Sequence, residues 1–478
     1  MKNSVNNLNC SLLYWLVFLV FSIAFLFFNA RDLSGSFYWD EAVYANISDH
    51  LLYSDYYYPF QTVFTRHPPL YFIILKVLSW IPVRHEISFR IFSILTSIIG
   101  IAFLFYIFAE FKRYRLGVLF LVLMFLNTVV QQYSQSATMY ALFFMFYSMF
   151  ITGLIQKKKT LELVGIIGGI YTHYLMFFAW LFIFAVEFYL NNKRISKEMK
   201  TKIVIIMIAY SPWLLFSLPG LFFRLTQQYR DFLAYINLYN FVWTFGLTGI
   251  LFISFWVYKI IKCRFACFES DEIEIRFITV VTILSLGYLL IFLFGIPFLR
   301  YLFFIIPSVY AAILLISARL AEKEKNKIRK CVMFSASVIM IFVPNFQLIG
   351  VFPYSFSYHD NHDSIYAQHW EEVVEDVGKN PVAVENVRSF YYYAQKIHPD
   401  YYKKSFPWND IGLVEIKYKA YNYKENMENL KGIDTTFACV DSVGKYKAEM
   451  IQELYNMGYK DYKKYGTTLL LKKHSADE

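Results

Sequence analysis

The stretch Trp39-Asp40-Glu41-Ala42-Val43-Tyr44-Ala45 sets two adjacent carboxylates among aromatic side chains, and Arg66-His67-Pro68-Pro69-Leu70-Tyr71 follows it with a basic pair and two prolines. Both lie in a hydrophilic segment, 29–89, of a chain that is otherwise apolar. Of its 478 residues 57% are hydrophobic, and the mean hydropathy is +0.40. A soluble chain is nearer half apolar. The excess is gathered in blocks bounded by charges, which is the pattern of membrane spans.

Working outward from that segment, eleven spans are expected, at 12–28, 90–110, 116–131, 138–155, 161–172, 174–190, 203–219, 240–261, 277–294, 301–318 and 331–349. The first is read as retained, because Asn29-Ala30-Arg31-Asp32 is a poor cleavage site. Several are shorter than the ~20 residues of a perpendicular crossing. The pair at 161–190 also reads as a hairpin of short helices with Thr172-His173-Tyr174 at its apex.

Charge orients these spans. Residues 1–350 hold 30 Lys and Arg against 17 Asp and Glu, and residues 351–478 hold 16 against 19. With the N-terminus in the cytosol, 22 of the 30 fall on the inner side, as the positive-inside rule requires. The outer eight are Arg31, Arg66, Lys76, Arg84, Arg90, Arg224, Arg230 and Arg300. The C-terminal residues then lie outside. No basic face with interleaved aromatics occurs, so a nucleic-acid partner is not expected. The five cysteines show no metal or redox spacing.

Within the outer loop, 40–53 reads as an interfacial helix, with Val43, Ile47 and Leu51 as its apolar stripe and Asp40 and Glu41 at its start, where the macrodipole favours a carboxylate. An acidic pair is also ordinary in any first helical turn. Pro68-Pro69 fits the first turn of a second helix, 70–80. The tail, from 351, reads as a small α/β domain. It has an amphipathic segment at 370–374, strands at 381–384, 435–440 and 467–471, and a helix at 447–459. Tyr391-Tyr392-Tyr393 reads as a core or surface aromatic cluster in preference to a sugar-stacking platform.

The array resembles the GT-C class of glycosyltransferases that use polyprenyl-phosphate sugars, and within it the protein O-mannosyltransferases and the aminoarabinose transferases of lipid A. The resemblance rests on Asp40-Glu41-x-x-Tyr44-Ala45 after the first span and His67-Pro68-Pro69-Leu70-Tyr71 before the second. Further along, Phe89-Arg90-Ile91-Phe92-Ser93, Ser134 to Leu142 around Tyr140, Thr172-His173-Tyr174 and Pro297-Phe298-Leu299-Arg300-Tyr301 carry it. Two departures stand out: His67 occupies the place of a lysine, and Ser136-Ala137-Thr138 stands where relatives often carry Glu-Ala-Arg.

The fold expected is a mainly α, polytopic membrane helix bundle of GT-C type over 1–350, including the 29–89 loop, with a small extracytoplasmic α/β domain over 351–478. The resemblance implies inverting transfer of a monosaccharide from a polyprenyl-phosphate donor at the outer face of a bacterial cytoplasmic membrane. It makes Asp40 the general base and Glu41 an auxiliary carboxylate. Arg300, with Arg66 or His67, would hold the donor phosphate, and Tyr44, Tyr301, His173 and Tyr140 would line the substrate. The leaving group is a phosphate, so one base and cations suffice where glycosidases use two carboxyls. No cofactor is required; a divalent metal stays compatible, with His359, Asp360, His362 and Asp363 as the nearest ligand set, although a solvated linker suits that stretch better. Membrane lipid is a partner, and the acceptor is a protein Ser/Thr, lipid A or a surface glycan. Two other classes stay in view: a lipid-linked sugar flippase or transporter, and a non-catalytic lipid-sugar-binding relative. Inverted repeats and mid-membrane ionisable groups would mark a transporter, and no internal repeat is visible.

Overall fold

The computed structural model describes residues 2–30, 33–49, 68–227, 254, 257–258, 260–262, 266–293, 303–342, 369–385, 387–399, 413–416, 433–441, 447–465 and 468–474. The chain forms two compact units. One comprises 1–31, 53–74 and 90–355; the other comprises 32–52, 75–89 and 356–478. This grouping departs from chain order. The outer loop, expected with the 1–350 domain, contributes 32–52 and 75–89 to the unit of the C-terminal residues.

The helices follow in order: α1 Lys2–Asn29, α2 Trp39–Asp49, α3 Leu70–Leu78, α4 His85–Glu110, α5 Tyr114–Leu126, α6 Thr128–Gln135, α7 Met139–Ile155, α8 Lys159–Thr172, α9 Leu175–Leu190, α10 Lys197–Gln227, α11 Ile273–Leu293, α12 Ile306–Lys323 and α13 Lys327–Phe342. Among the described residues two helices are long and apolar enough to cross a membrane, at Leu12–Asn29 and His85–Glu110. The expected span 116–131 is broken instead. Asn127 accepts the Val130 N–H at 2.8 Å and so starts a new helix, and α5 and α6 meet at 69°. An asparagine cap of this kind is worth about 1 kcal/mol, which makes the bend a property of the sequence. The expected span 240–261 lies largely outside the described residues.

The helical unit is packed through aromatics and close backbones. On α7, a Cβ at Gly153 would sit 2.3 Å from the Glu162 nitrogen, and on α8 one at Gly165 would sit 2.5 Å from the Phe150 nitrogen. The α7–α8 pair therefore needs both glycines to approach as it does. Helices α8 and α9 have 14 and 16 residues and turn at His173-Tyr174, as the hairpin reading requires.

The basic turns share one geometry. Lys112, Lys157 and Asn192 take left-handed backbones with φ of 55°, 58° and 51°. The next residue's N–H then reaches back five residues, from Arg113 to Phe108 O at 2.8 Å, Lys158 to Gly153 O at 2.8 Å and Lys193 to Phe188 O at 2.9 Å. This closes each helix C-terminus, where the cations also offset the macrodipole. On the same expected inner side Arg113 pairs with Glu274 at 2.8 Å and with Glu322, and Arg319 pairs with Glu272 at 2.7 Å.

In the second unit, α14 Trp370–Val377 and α15 Val387–Ile397 accompany a five-stranded sheet of β1 Val382–Val384, β2 Leu413–Glu415, β3 Phe437–Asp441, β4 Tyr459–Tyr465 and β5 Thr468–Lys473, with α16 Lys447–Asn456 between β3 and β4. The strand order is β2-β1-β3-β5-β4, parallel in β2-β1-β3 and antiparallel at β5 and β4. Ala383, Val440, Met450, Leu454, Tyr459 and Leu471 make its core. The expected helix 447–459 stops at Asn456, because Gly458 takes a φ of +91° that only glycine adopts readily and turns the chain into β4. Strand β4 escaped sequence reading because it is an edge strand with five exposed residues between two buried tyrosines.

Candidate functional site

Helix α2 opens at Tyr38, whose carbonyl accepts the Ala42 N–H at 3.0 Å. Glu41 turns back and accepts the Tyr38 N–H at 3.0 Å. That is the acidic half of a capping box, worth about 1 kcal/mol to the helix. Glu41 is 3% exposed, so one expected site residue has a structural duty. Asp40 shares the turn and is half-buried. Tyr44, four residues after Asp40, is buried on the same side of the helix.

The buried face of α2 is not the expected stripe. Ala42, Tyr44, Ala45 and Ser48 are buried, while Val43 and Ile47 are only half-buried and Leu51 lies outside the described residues. Small side chains let α2 approach α15 closely, and hydrophobicity alone points to the wrong face. The seat is specified by polar anchors from distant parts of the chain. The Tyr393 hydroxyl accepts the Phe37 N–H at 2.7 Å and donates to Glu86 at 2.7 Å, with all three buried. The Trp370 N–H donates to Ser36 Oγ at 3.0 Å. Phe37 stacks on Phe89 at 5.8 Å.

The far end of α2 is held as well. Lys76 donates to the Asp49 carbonyl at 2.9 Å, where a cation meets the negative end of the helix. Arg84 pairs with Glu371 at 3.1 Å and Glu86 at 3.6 Å. Two of the eight outer cations are thereby structural. Arg90, another of the eight outer cations, is fully buried. It is therefore not a snorkelling arginine, which would keep its head in water. Burying a guanidinium is costly without compensation.

In the helical unit His173 ends α8. Its N–H donates to Gly169 O at 2.7 Å, and its Nδ1 accepts the Leu175 N–H at 3.2 Å. This fixes the neutral tautomer with the proton on Nε2. The ring packs beside Tyr140 at 5.9 Å and Phe143 at 5.2 Å. Phe143 in turn meets Phe304 at 4.5 Å, and Tyr133 lies 6.0 Å from Tyr140 and 5.8 Å from Phe303. The structure thus brings Tyr140 and His173 together, next to the buried turn Phe303–Ile305. Beside them, Ser134 Oγ and Thr138 Oγ1 are buried without a hydrogen-bond partner among the described residues. These hydroxyls flank Ser136-Ala137.

Arg66, His67, Arg300 and Tyr301 lie outside the described residues. No group of three or more His, Cys, Asp or Glu residues placed to hold a metal occurs among the described residues. Sequence reading missed Tyr393 and Glu86 as supports of α2 and Ser134 and Thr138 as buried hydroxyls. Only the tyrosine run hinted at the first, and its burial, at 6%, 2% and 0% exposed for Tyr391, Tyr392 and Tyr393, agrees with the core reading.

Among the described residues the chain thus joins a mainly helical unit, with an acidic turn after its first apolar helix, to a unit with a small mixed sheet. No protein-family model matches the chain, and no curated protein matches it. Among solved structures it is similar to ArnT from Cupriavidus metallidurans in the apo state, with a TM-score of 0.50 and 9% identity over 96% of this chain and 98% of that one. It is similar also to ArnT from Cupriavidus metallidurans bound to undecaprenyl phosphate, with a TM-score of 0.52 and 10% identity over 97% and 98%. At this identity the likeness shows the fold alone, the one shared with these ArnT structures.

Proposed function

We propose that the chain is an inverting membrane glycosyltransferase that moves a monosaccharide from a polyprenyl-phosphate donor to an acceptor hydroxyl or phosphate at the outer membrane face. The observation that supports this most is the likeness, over 97% of the chain, to a structure bound to undecaprenyl phosphate. The exposed apolar residues of α1, among them Leu12, Leu16, Val20, Ile23 and Phe27, suit a lipid surround better than water.

In this reading an acceptor hydroxyl gives its proton to Asp40 as its oxygen attacks C1 from the face opposite the phosphate. The C1–O bond to the lipid phosphate breaks, its electron pair leaves with the phosphate, and the anomeric centre inverts. Arg300, with Arg66 or His67, balances the charge that develops on the leaving group. Glu41 holds the turn that carries Asp40. Tyr44, Tyr140, His173 and Tyr301 line the sugar or the acceptor. The acceptor is a protein Ser/Thr, lipid A or a surface glycan.

Proteoliposomes containing the full chain, a panel of polyprenyl-phosphate sugars and these acceptors test the reading. It expects release of polyprenyl phosphate together with a sugar-bearing acceptor. Movement of the donor between leaflets without release would replace it with transport.

A further inference from the structure

Away from the acidic turn, α1, α5, α12 and α13 line an open cavity of about 1020 Å³ in the helical unit. Its lining divides by chemistry. Among the described residues, five basic residues and one acidic residue line it, and that acidic residue, Glu322, is already held by Arg113. Lys112 comes from the α4–α5 turn, Arg115 from the first turn of α5, and Lys327 and Lys330 from the start of α13; all four are exposed. Beside these cations the lining is apolar, with Leu13 and Val17 from α1, Val118 from α5 and Phe334 from α13. Leu13 is 62% and Val118 36% exposed. No side chain caps the α5 N-terminus, so its first N–H groups add positive potential beside Lys112.

We infer that this cavity binds one anionic phospholipid of the surrounding leaflet, its head group on Lys112, Arg115, Lys327 and Lys330 and its acyl chains on the Leu13–Val118–Phe334 wall. Two features select that occupant. The surplus of cations asks for an anion, and basic pockets between membrane helices meet that need with lipid head groups. The exposed apolar wall asks for a hydrocarbon chain, which free phosphate lacks. The volume exceeds what a small anion needs and matches a head group with the first part of its chains, since drug-sized ligands occupy roughly 300–1,000 Å³. The lipid would tie α1 to the α12–α13 hairpin.

The test is native mass spectrometry of the full-length protein in non-ionic detergent. The protein is titrated with phosphatidylglycerol and with phosphatidylcholine of the same chains, with and without inorganic phosphate as competitor. Phosphatidylglycerol is expected to be retained at least tenfold better than phosphatidylcholine and to resist phosphate. Each of Lys112→Gln, Lys327→Gln and Lys330→Gln is expected to weaken its binding roughly fivefold. Val118→Trp, which keeps every charge and fills the apolar wall, is expected to weaken both lipids, and it keeps the test decisive if a lysine variant unfolds. Asp40→Asn is expected to bind phosphatidylglycerol as the wild type does, which separates this site from the transfer reaction. Equal retention of the two lipids, full binding by the lysine variants or by Val118→Trp, or displacement by phosphate would each overturn the assignment.

Discussion

The hydroxyl of Tyr393 accepts the backbone N–H of Phe37 at 2.7 Å across 356 residues of sequence. Phe37 immediately precedes Tyr38, the cap of the helix that carries Asp40 and Glu41. The C-terminal residues thus fix where the acidic turn begins. Tyr393→Phe leaves the Phe37 N–H and a Glu86 oxygen buried without this partner, at a cost of about 1–3 kcal/mol. Thermal unfolding should show that loss. If the position of α2 matters for transfer, kcat falls while the donor KM changes little.

Glu41 offers a separation of structure from chemistry. Glu41→Gln keeps an oxygen for the Tyr38 N–H and should cost under about 1 kcal/mol, whereas Glu41→Ala loses the cap and should cost about 1–2 kcal/mol. Comparable melting temperatures for the two variants would remove the capping role. Activity that survives in Glu41→Gln and falls in Glu41→Ala would make Glu41 a positioning residue.

His173 accepts the Leu175 N–H through Nδ1. His173→Asn retains a short-range acceptor, so stability should hold within about 1 kcal/mol, while His173→Phe strands that N–H at about 1–3 kcal/mol. Under the proposed substrate-lining role of His173, the Asn variant should raise the donor KM by roughly tenfold, the effect of one lost hydrogen bond. An unchanged KM would confine His173 to ending α8.

At the opposite end of the helical unit, the hydrogen bond from Arg113, helped by the nearby cations, holds the Glu322 carboxyl below its usual range despite the opposing effect of burial. A carboxylate with a depressed folded pKa contributes stability above its unfolded pKa and loses it as pH falls through the folded value. Arg113→Ala should therefore cost about 1–2 kcal/mol near neutral pH, discounted from the buried-pair range because Arg113 and Glu322 are 28% and 45% exposed. The difference from wild type should shrink as Glu322 is protonated in acid. A pH-independent difference would assign the loss to packing.

How far the sequence reveals this arrangement depends on the range of the interaction. The start of α2 is legible because Asp40 and Glu41 are local signals. The Leu70–Leu78 helix is legible because Pro68-Pro69 precedes it and Pro82 follows. The α8–α9 hairpin is legible from the polar Thr172-His173-Tyr174 between two apolar runs. The packed face of α2 is not, since Ala42, Ala45 and Ser48 matter for what fits against them and not for their hydrophobicity. Nor are the roles of Lys76 and Arg84, whose partners are the Asp49 carbonyl and Glu371. Charge bias gives those cations a side of the membrane and no contact. Glu86 and Tyr393 are 307 residues apart, and no local pattern joins them.

The central claim is that Asp40 removes the acceptor's proton during sugar transfer. The most direct measurement is Asp40-dependent release of polyprenyl phosphate from a polyprenyl-phosphate sugar by the purified full chain, comparing wild type with Asp40→Asn at matched folding. Loss of the base should cut kcat by 10²–10⁴-fold with unchanged donor binding. Asp40→Asn protein that turns over donor at the wild-type rate would contradict the account.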